Sequence, residues 1–134
     1  MMIYSSIDLL FRTIAERLEQ RGVGKVGVDV FALHMPEDAV RGVLLRNNFN
    51  PSKIDYELPG YREAKVVAVC RGESYPDVYE LADQVCRALH LENERLGRLH
   101  FNHLRPDTEP NAYPTQASGL YEALVTLSAN YVIF

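Results

Sequence analysis

The stretch at positions 120–134, LYEALVTLSANYVIF, constrains this chain more than any other. It contains no Gly, Pro, Lys or Arg, and it is rich in the Val, Leu, Ile, Tyr and Phe that fit a pleated, half-buried surface. Two rows interleave along it. Tyr121, Ala123, Val125, Leu127, Ala129, Tyr131 and Ile133 are all apolar or aromatic, whereas Glu122, Leu124, Thr126, Ser128, Asn130, Val132 and Phe134 mix polar with apolar. That alternation predicts a strand with one buried and one partly covered face. A strand this long runs through the middle of a sheet or extends beyond its own domain, since the usual strand is about 5–6 residues.

The remaining elements have to supply what covers the apolar row. Ile7, Leu10, Phe11, Ile14 and Leu18 recur at helical spacing after Ser5 or Ser6, either of which can cap a helix. Asp8, Arg12, Glu16 and Arg17 take the other side, and Gly22 and Gly24 end the helix. Extended segments follow over 25–35 and 39–46, joined by Pro36-Glu37-Asp38 as an antiparallel turn. Residues 62–71 hold an almost continuous apolar run from Ala64 to Cys70, as a strand covered on both faces would. A second helix over 75–89 is led by Pro76, has Asp77 and Glu80 near its positive end, and carries the stripe Val78, Leu81, Ala82, Val85 and Leu89. A fourth strand spans 96–104. Residues 47–61 and 105–119 are rich in Asn, Pro and Gly and are expected to be long loops, a class that is usually functional or mobile.

This order predicts a two-layer α+β fold, a mostly antiparallel sheet of about five strands with two helices on one face. With 134 residues, no internal repeat and no linker, the chain is expected to be a single domain over 1–134. The N-terminus is interrupted by charges and is not a signal peptide, and no stretch approaches a membrane span, so a soluble intracellular protein is expected. The net charge of −4 and the absence of a Lys/Arg run argue against direct binding to nucleic acid.

Chemistry is sparse. Cys70 and Cys86 form no CxxC pattern and are expected to be buried reduced thiols. His100 and His103 are the most metal-like pair, but residues three apart on an unbroken strand face opposite ways. His34 and His90 have no Cys or carboxylate at ligand spacing, and Glu92 and Glu94 are placed in a solvated helix-to-strand connection. No nucleophile elbow, Walker loop or dinucleotide fingerprint occurs. No catalytic residue, cofactor or metal is expected. Asn48, Phe49 and Asn50 in the first loop and Tyr113, Pro114 and Thr115 in the second set an aromatic among turn formers. Phe49 and Tyr113 either face a partner, as interface aromatics do, or tuck back onto their own domain.

At Pro114-Thr115-Gln116-Ala117-Ser118-Gly119-Leu120-Tyr121-Glu122, and on through the strand to Phe134, the chain resembles the minor capsid and tail-completion proteins of tailed phages known as tail terminators. Their pattern is a small-residue or Pro loop, a Gly, then an aromatic opening a long last strand. The segment Ala64 to Cys70 with its Pro-led helix agrees as well. The usual loop has a charged residue after the Gly, where this chain has Leu120. The resemblance implies a non-enzymatic virion protein, assembled in the host cytoplasm and similar in fold to tail-tube subunits. It implies a homo-hexameric ring on the head-proximal end of the tail tube. Such a ring stops tube polymerisation and offers a surface to the head-completion connector, while DNA passes through the lumen without specific binding. An acidic chain suits such a channel. By position, Asn48, Phe49, Asn50, Tyr61, Tyr113, Pro114 and Thr115 are the interface candidates. A neck or head-completion protein is the alternative within virion assembly. A small cytoplasmic enzyme or ligand-binding domain is the alternative outside it, and a deep pocket with convergent titrating groups would favour that class.

With no ligand set in the sequence, a chelator should leave the melting temperature unchanged. A fall of more than about 4–8 °C, roughly 1 kcal/mol for a domain near this size, would reveal a structural metal.

Overall fold

A computed structural model of the chain describes residues 6–47, 53–55, 57–115 and 119–134. Two helices, α1 (Ile7–Gln20) and α2 (Tyr75–Ala88), accompany eight strands of one sheet. The strands are β1 (Val30–Ala32), β2 (Gly42–Asn47), β3 (Lys53–Asp55), β4 (Leu58–Gly72), β5 (Leu91–Leu96), β6 (Leu99–Pro106), β7 (Asn111–Pro114) and β8 (Tyr121–Ile133). The main path is β1-β2-β4-β8-β6-β5, with β3 on β4 and β7 on β8. Every pairing is antiparallel except β1 with β2.

The last strand behaves as its alternation requires. Ala123, Val125, Leu127, Ala129 and Tyr131 are buried, and Glu122, Leu124, Thr126, Ser128, Asn130 and Val132 are half-buried on the opposite face. Leu10, Phe11, Ile14 and Leu18 of α1 and Val78, Leu81, Ala82 and Val85 of α2 join the buried row of β8 in one core. The run from Ala64 to Cys70 is buried apart from Lys65. Gly22, at φ +75°, ends α1 with its N–H on Glu19 O while Val23 N–H reaches Leu18 O, the double bond of a Schellman cap. At α2, Ser74 Oγ accepts from Asp77 N–H at 3.3 Å.

Several expectations need correction. The extended segment over 25–35 is mostly a turn, with the N–H groups of Val28, Asp29 and Val30 all donating to Lys25 O. Only Val30–Ala32 remains a strand, and it runs parallel to β2, so Pro36-Glu37-Asp38 is not a hairpin turn. The loop expected over 47–61 contains β3 and the start of β4, and that over 105–119 contains the end of β6 and β7. Glu92 and Glu94 lie in β5, which pairs with β6 around Gly97 at φ +58°. The sheet therefore has eight strands among the described residues rather than five. Ser6 holds the N-cap position of α1 but makes no cap bond; its hydroxyl is hydrogen-bonded to Tyr131 at 2.7 Å. Arg17, expected in solvent, is buried; its Nε donates to Ala88 O at 3.1 Å and its Nη2 lies 3.8 Å from Glu94. It ties α1 to the end of α2 and to β5.

Two measurements probe this packing. Val85→Asp sets a carboxylate in a fully buried position and should cost several kcal/mol. Glu19→Ala removes one exposed hydrogen bond to Val26 N–H and should cost about 1 kcal/mol or less. Equal melting temperatures would show the phase of α2 to be wrong. Separately, burial pushes the Tyr131 phenol above its usual value of 10.0, against the opposing pull of the Ser6 hydrogen bond and Arg62. A folded-state pKa above the unfolded one gives stability that is present below about pH 10 and lost as pH rises through the raised value. Tyr131→Phe should therefore lose less stability than the parent protein in alkaline titration above that pH, and parallel curves would contradict the assignment.

Candidate functional site

Both helices cover the same face of the sheet, so the opposite face is the broad surface left over. Strand alternation decides what it carries. Along β4 it carries Tyr61, Glu63, Lys65, Val67, Val69 and Arg71, of which Val67 and Val69 are buried, and along β8 Glu122, Leu124, Thr126, Ser128, Asn130 and Val132. Its polar groups bond to one another. Tyr61 Oη donates to Glu63 Oε1 at 2.9 Å and accepts from Asn130 Nδ2, while Asn102 Nδ2 donates to Asn130 Oδ1 at 2.7 Å. Lys65 Nζ lies 2.8 Å from Asp107 Oδ2, and Ser128 Oγ donates to Asp107 Oδ1 at 2.7 Å. Burial pushes the Asp107 carboxyl up, but the hydrogen bonds from Lys65 and Ser128 and the charges of Lys65 and Arg105 outweigh it and hold the group below its usual range. Arg71 pairs with Glu122 at 3.0 Å and donates to Ala39 O at 3.1 Å.

At the end of the sheet where β8 begins, tyrosines gather. The rings of Tyr75 and Tyr121 are 4.3 Å apart, and Tyr79 Oη accepts from Ala112 N–H at 3.1 Å. Tyr113, opposite Glu122 in the register, is 39% exposed. Burial and the Glu122 charge raise its phenol pKa. Pro114 is exposed, and Thr115 donates from both N–H and Oγ1 to Leu120 O, at 3.0 and 3.1 Å.

The interface candidates from sequence are thus divided. Tyr113, Pro114 and Thr115 lie together at the end of the sheet where β8 begins, with Tyr113 on the face of Glu122 and Tyr75 and Tyr79 on the opposite, helix-covered face. Tyr61 pairs with Val132, ten positions further along β8 than Glu122, or about 34 Å at the usual strand rise. Asn48, Phe49 and Asn50 lie outside the described residues. Tyr75 and Tyr79 were missed, although their signal was present: two tyrosines four apart on α2, outside its apolar stripe.

Among the described residues no catalytic constellation emerges from the geometry. An open groove between α2 and residues 105–110 is lined by Tyr79, Asp83, Cys86 and His90, but Asp83 is engaged by Arg87. Cys86 is half-exposed, not buried as expected, and its thiol is raised by burial and by Asp83. Burial pushes the Cys70 thiol up to about 12. Neither has the lowered pKa of a reactive thiolate. His100 and His103 face the same way after all. The register slips between Phe101 and His103, so they oppose Val132 and Asn130 on one face of β8. His100 Nε2 is 2.9 Å from Asn93 Oδ1. Among the described residues no three His, Cys, Asp or Glu are placed to hold a metal, and no helix is long and apolar enough to cross a membrane.

Comparison with known proteins gives matches to solved structures and to a protein family. A chain from the virion of a native gene transfer agent particle shares this fold, with a TM-score of 0.70 and 14% identity over 97% of this chain and 99% of that one. No curated protein matches. The family described as bacteriophage tail terminator protein matches residues 17–133. That match spans the last turn of α1, all of α2 and the whole sheet, and the chain belongs to the bacteriophage tail terminator protein family.

Proposed function

We propose that this protein is a structural component of a phage tail that caps the tail tube as a homo-hexameric ring, stops tube polymerisation and presents a joining surface to the head-completion connector. The observation that carries this reading is the family match across residues 17–133. The fold shared with a virion chain supports a particle component. Host cytoplasm during assembly and the virion afterwards are its locations in this reading.

The contacts to the tube or connector fall to the tyrosine-rich end of the sheet, Tyr113, Pro114 and Thr115 with Tyr75 and Tyr79. Exposed aromatics on a rigid support supply large contact area at little entropic cost. Tyr61, with Asn48, Phe49 and Asn50 by sequence position, forms the second candidate contact. DNA passes through the ring without specific binding, as suits an acidic chain.

Polymerising purified tail-tube protein with and without this chain tests the reading. Added protein should shorten the tubes and appear as a six-fold ring at one end in electron micrographs, and Tyr113→Ala should weaken capping. Unchanged tube lengths with no end density would overturn it. Binding to the connector but not to the tube would replace it with the neck reading.

A further inference from the structure

Residues 33–41 join the parallel strands β1 and β2, so they must run back along the sheet over one of its faces. That face is the one without helices. Arg71 lies on it, and its Nη1 donates to Pro36 O and Ala39 O at 3.3 and 3.1 Å. Opposite Arg71 is Gly42, where an added Cβ would meet Met35 Sδ and Phe31 Cε2, each at 3.4 Å. A second, smaller apolar cluster forms here. Among the described residues Met35, Val67 and Val69 are the buried hydrophobics, 6%, 8% and 4% exposed, that stand outside the core shared by the helices and the sheet. In the register Phe31 and Val69 flank Leu44 from either side. Satellite clusters of this kind occur under long loops. The backbone of the segment is held weakly. From His34 to Val40 it makes one hydrogen bond of its own, Ala39 N–H to Pro36 O at 3.1 Å. Leu33, at φ +69°, and Val40 stand at its two ends with their side chains exposed. Its fastening is Arg71, whose Nε and Nη2 both lie 3.0 Å from Glu122 Oε2 while Nη1 takes the two carbonyls.

We infer that residues 33–41 are a lid, latched by Arg71 and Glu122, that opens while the sheet stays folded and uncovers an apolar patch of Phe31, Leu44 and Val69. The latch and the lid belong to parts of the fold with different stability. Arg71 and Glu122 face each other in the long β4–β8 ladder, whereas the lid has few backbone bonds and few buried side chains, the marks of a segment that opens locally. Met35 is its plug, and the missing Cβ of Gly42 is the space that the plug fills. Around the patch the polar groups of this face bond to one another, Lys65 with Asp107 and Asn102 with Asn130. Lifting the lid therefore changes the character of the face, adding apolar area to a surface of matched polar groups. The device is a property of the single chain and holds whichever partner the tail reading assigns.

Chemical labelling of the full chain tests it. Tryptic cleavage after Lys25 and Arg41 separates Met35 from the other methionines, and hydrogen peroxide converts its exposed thioether to the sulfoxide. Alkylation of Cys70, fully buried on the helix side of β4, reports opening of the sheet. In the parent chain Met35 oxidation should be nearly independent of urea below the unfolding transition, whereas Cys70 alkylation should rise with urea, because lifting the lid exposes far less surface. Arg71→Lys keeps a charge beside Glu122 but cannot also span two carbonyls, and Glu122→Gln removes the charge that orients the guanidinium. Each variant should speed Met35 oxidation about tenfold, the loss of a charge-assisted hydrogen bond, with Cys70 alkylation unchanged. Each should also brighten the apolar dye anilinonaphthalene sulfonate. Met35 oxidation that follows Cys70 alkylation through the urea series would make the segment part of the sheet's cooperative unit and not a lid. Variants that oxidise at the parent rate, or that speed Cys70 alkylation by the same factor, would rule out the latch. Faster oxidation with no gain in dye fluorescence would rule out the patch.

Discussion

The structure hangs on one interaction, the antiparallel pairing of β4 with β8. It runs without a slip from Tyr61 opposite Val132 to Gly72 opposite Tyr121. Strands of 15 and 13 residues joined over that length supply a template whose outer edges must also be satisfied. No single neighbour does so on either side. The free edge of β4 is met by β2 and then β3, and that of β8 by β6 and then β7. On the β8 side the flank is interrupted at residues 107–110, where the chain leaves the sheet and forms the wall of the groove against α2.

The helices depend on that template in turn. Their stripes have only one face of β4 and β8 to cover, and the cover is fastened by polar links through the core. The Ser6–Tyr131 bond anchors the start of α1 to β8, and Arg17 anchors its far end to Ala88 and Glu94. Both links tie residues that would be costly to leave unsatisfied in a buried setting. α1 therefore gives up a conventional side-chain cap, worth about 1 kcal/mol, for a bond that fixes its position on the sheet.

Legibility in the sequence followed burial. The two helices, β8 and the central part of β4 were readable because each buries one periodic face, or both faces, against the core. What escaped were elements defined by a neighbour. β5 carries Glu92, Glu94 and Arg95 because it is an edge strand, and edge strands are commonly charged to discourage further pairing, so it looked like a solvated connection. β3 (Lys-Ile-Asp) and β7 (Asn-Ala-Tyr-Pro) are short, and they exist because β4 and β8 offer unpaired edges. β1 is parallel to β2 because a turn held on Lys25 O reverses the chain early. The same blindness to pairing misplaced His103, where a register slip invisible in the sequence turns its side chain to the face of His100. Of the site, Tyr113 was legible as an aromatic among turn formers. Tyr75 and Tyr79 were legible only as two tyrosines four apart outside the apolar stripe, and only the fold brings Tyr79 to β7.

The uncovered face of the sheet also limits how this molecule can make contacts. Its cations Lys65 and Arg71 are already matched by Asp107 and Glu122, and its amides and hydroxyls are bonded across strands. A partner recruited by charge would have to break pairs that, being partly exposed, contribute little individually but are pre-arranged as a network. Such a face repels neither sign strongly and grips neither. Groups that the network leaves exposed include Tyr75, Tyr79 and Tyr113 at the end of the sheet. The division follows from the architecture. Strands that satisfy one another across a broad face leave their unused polar groups at the perimeter.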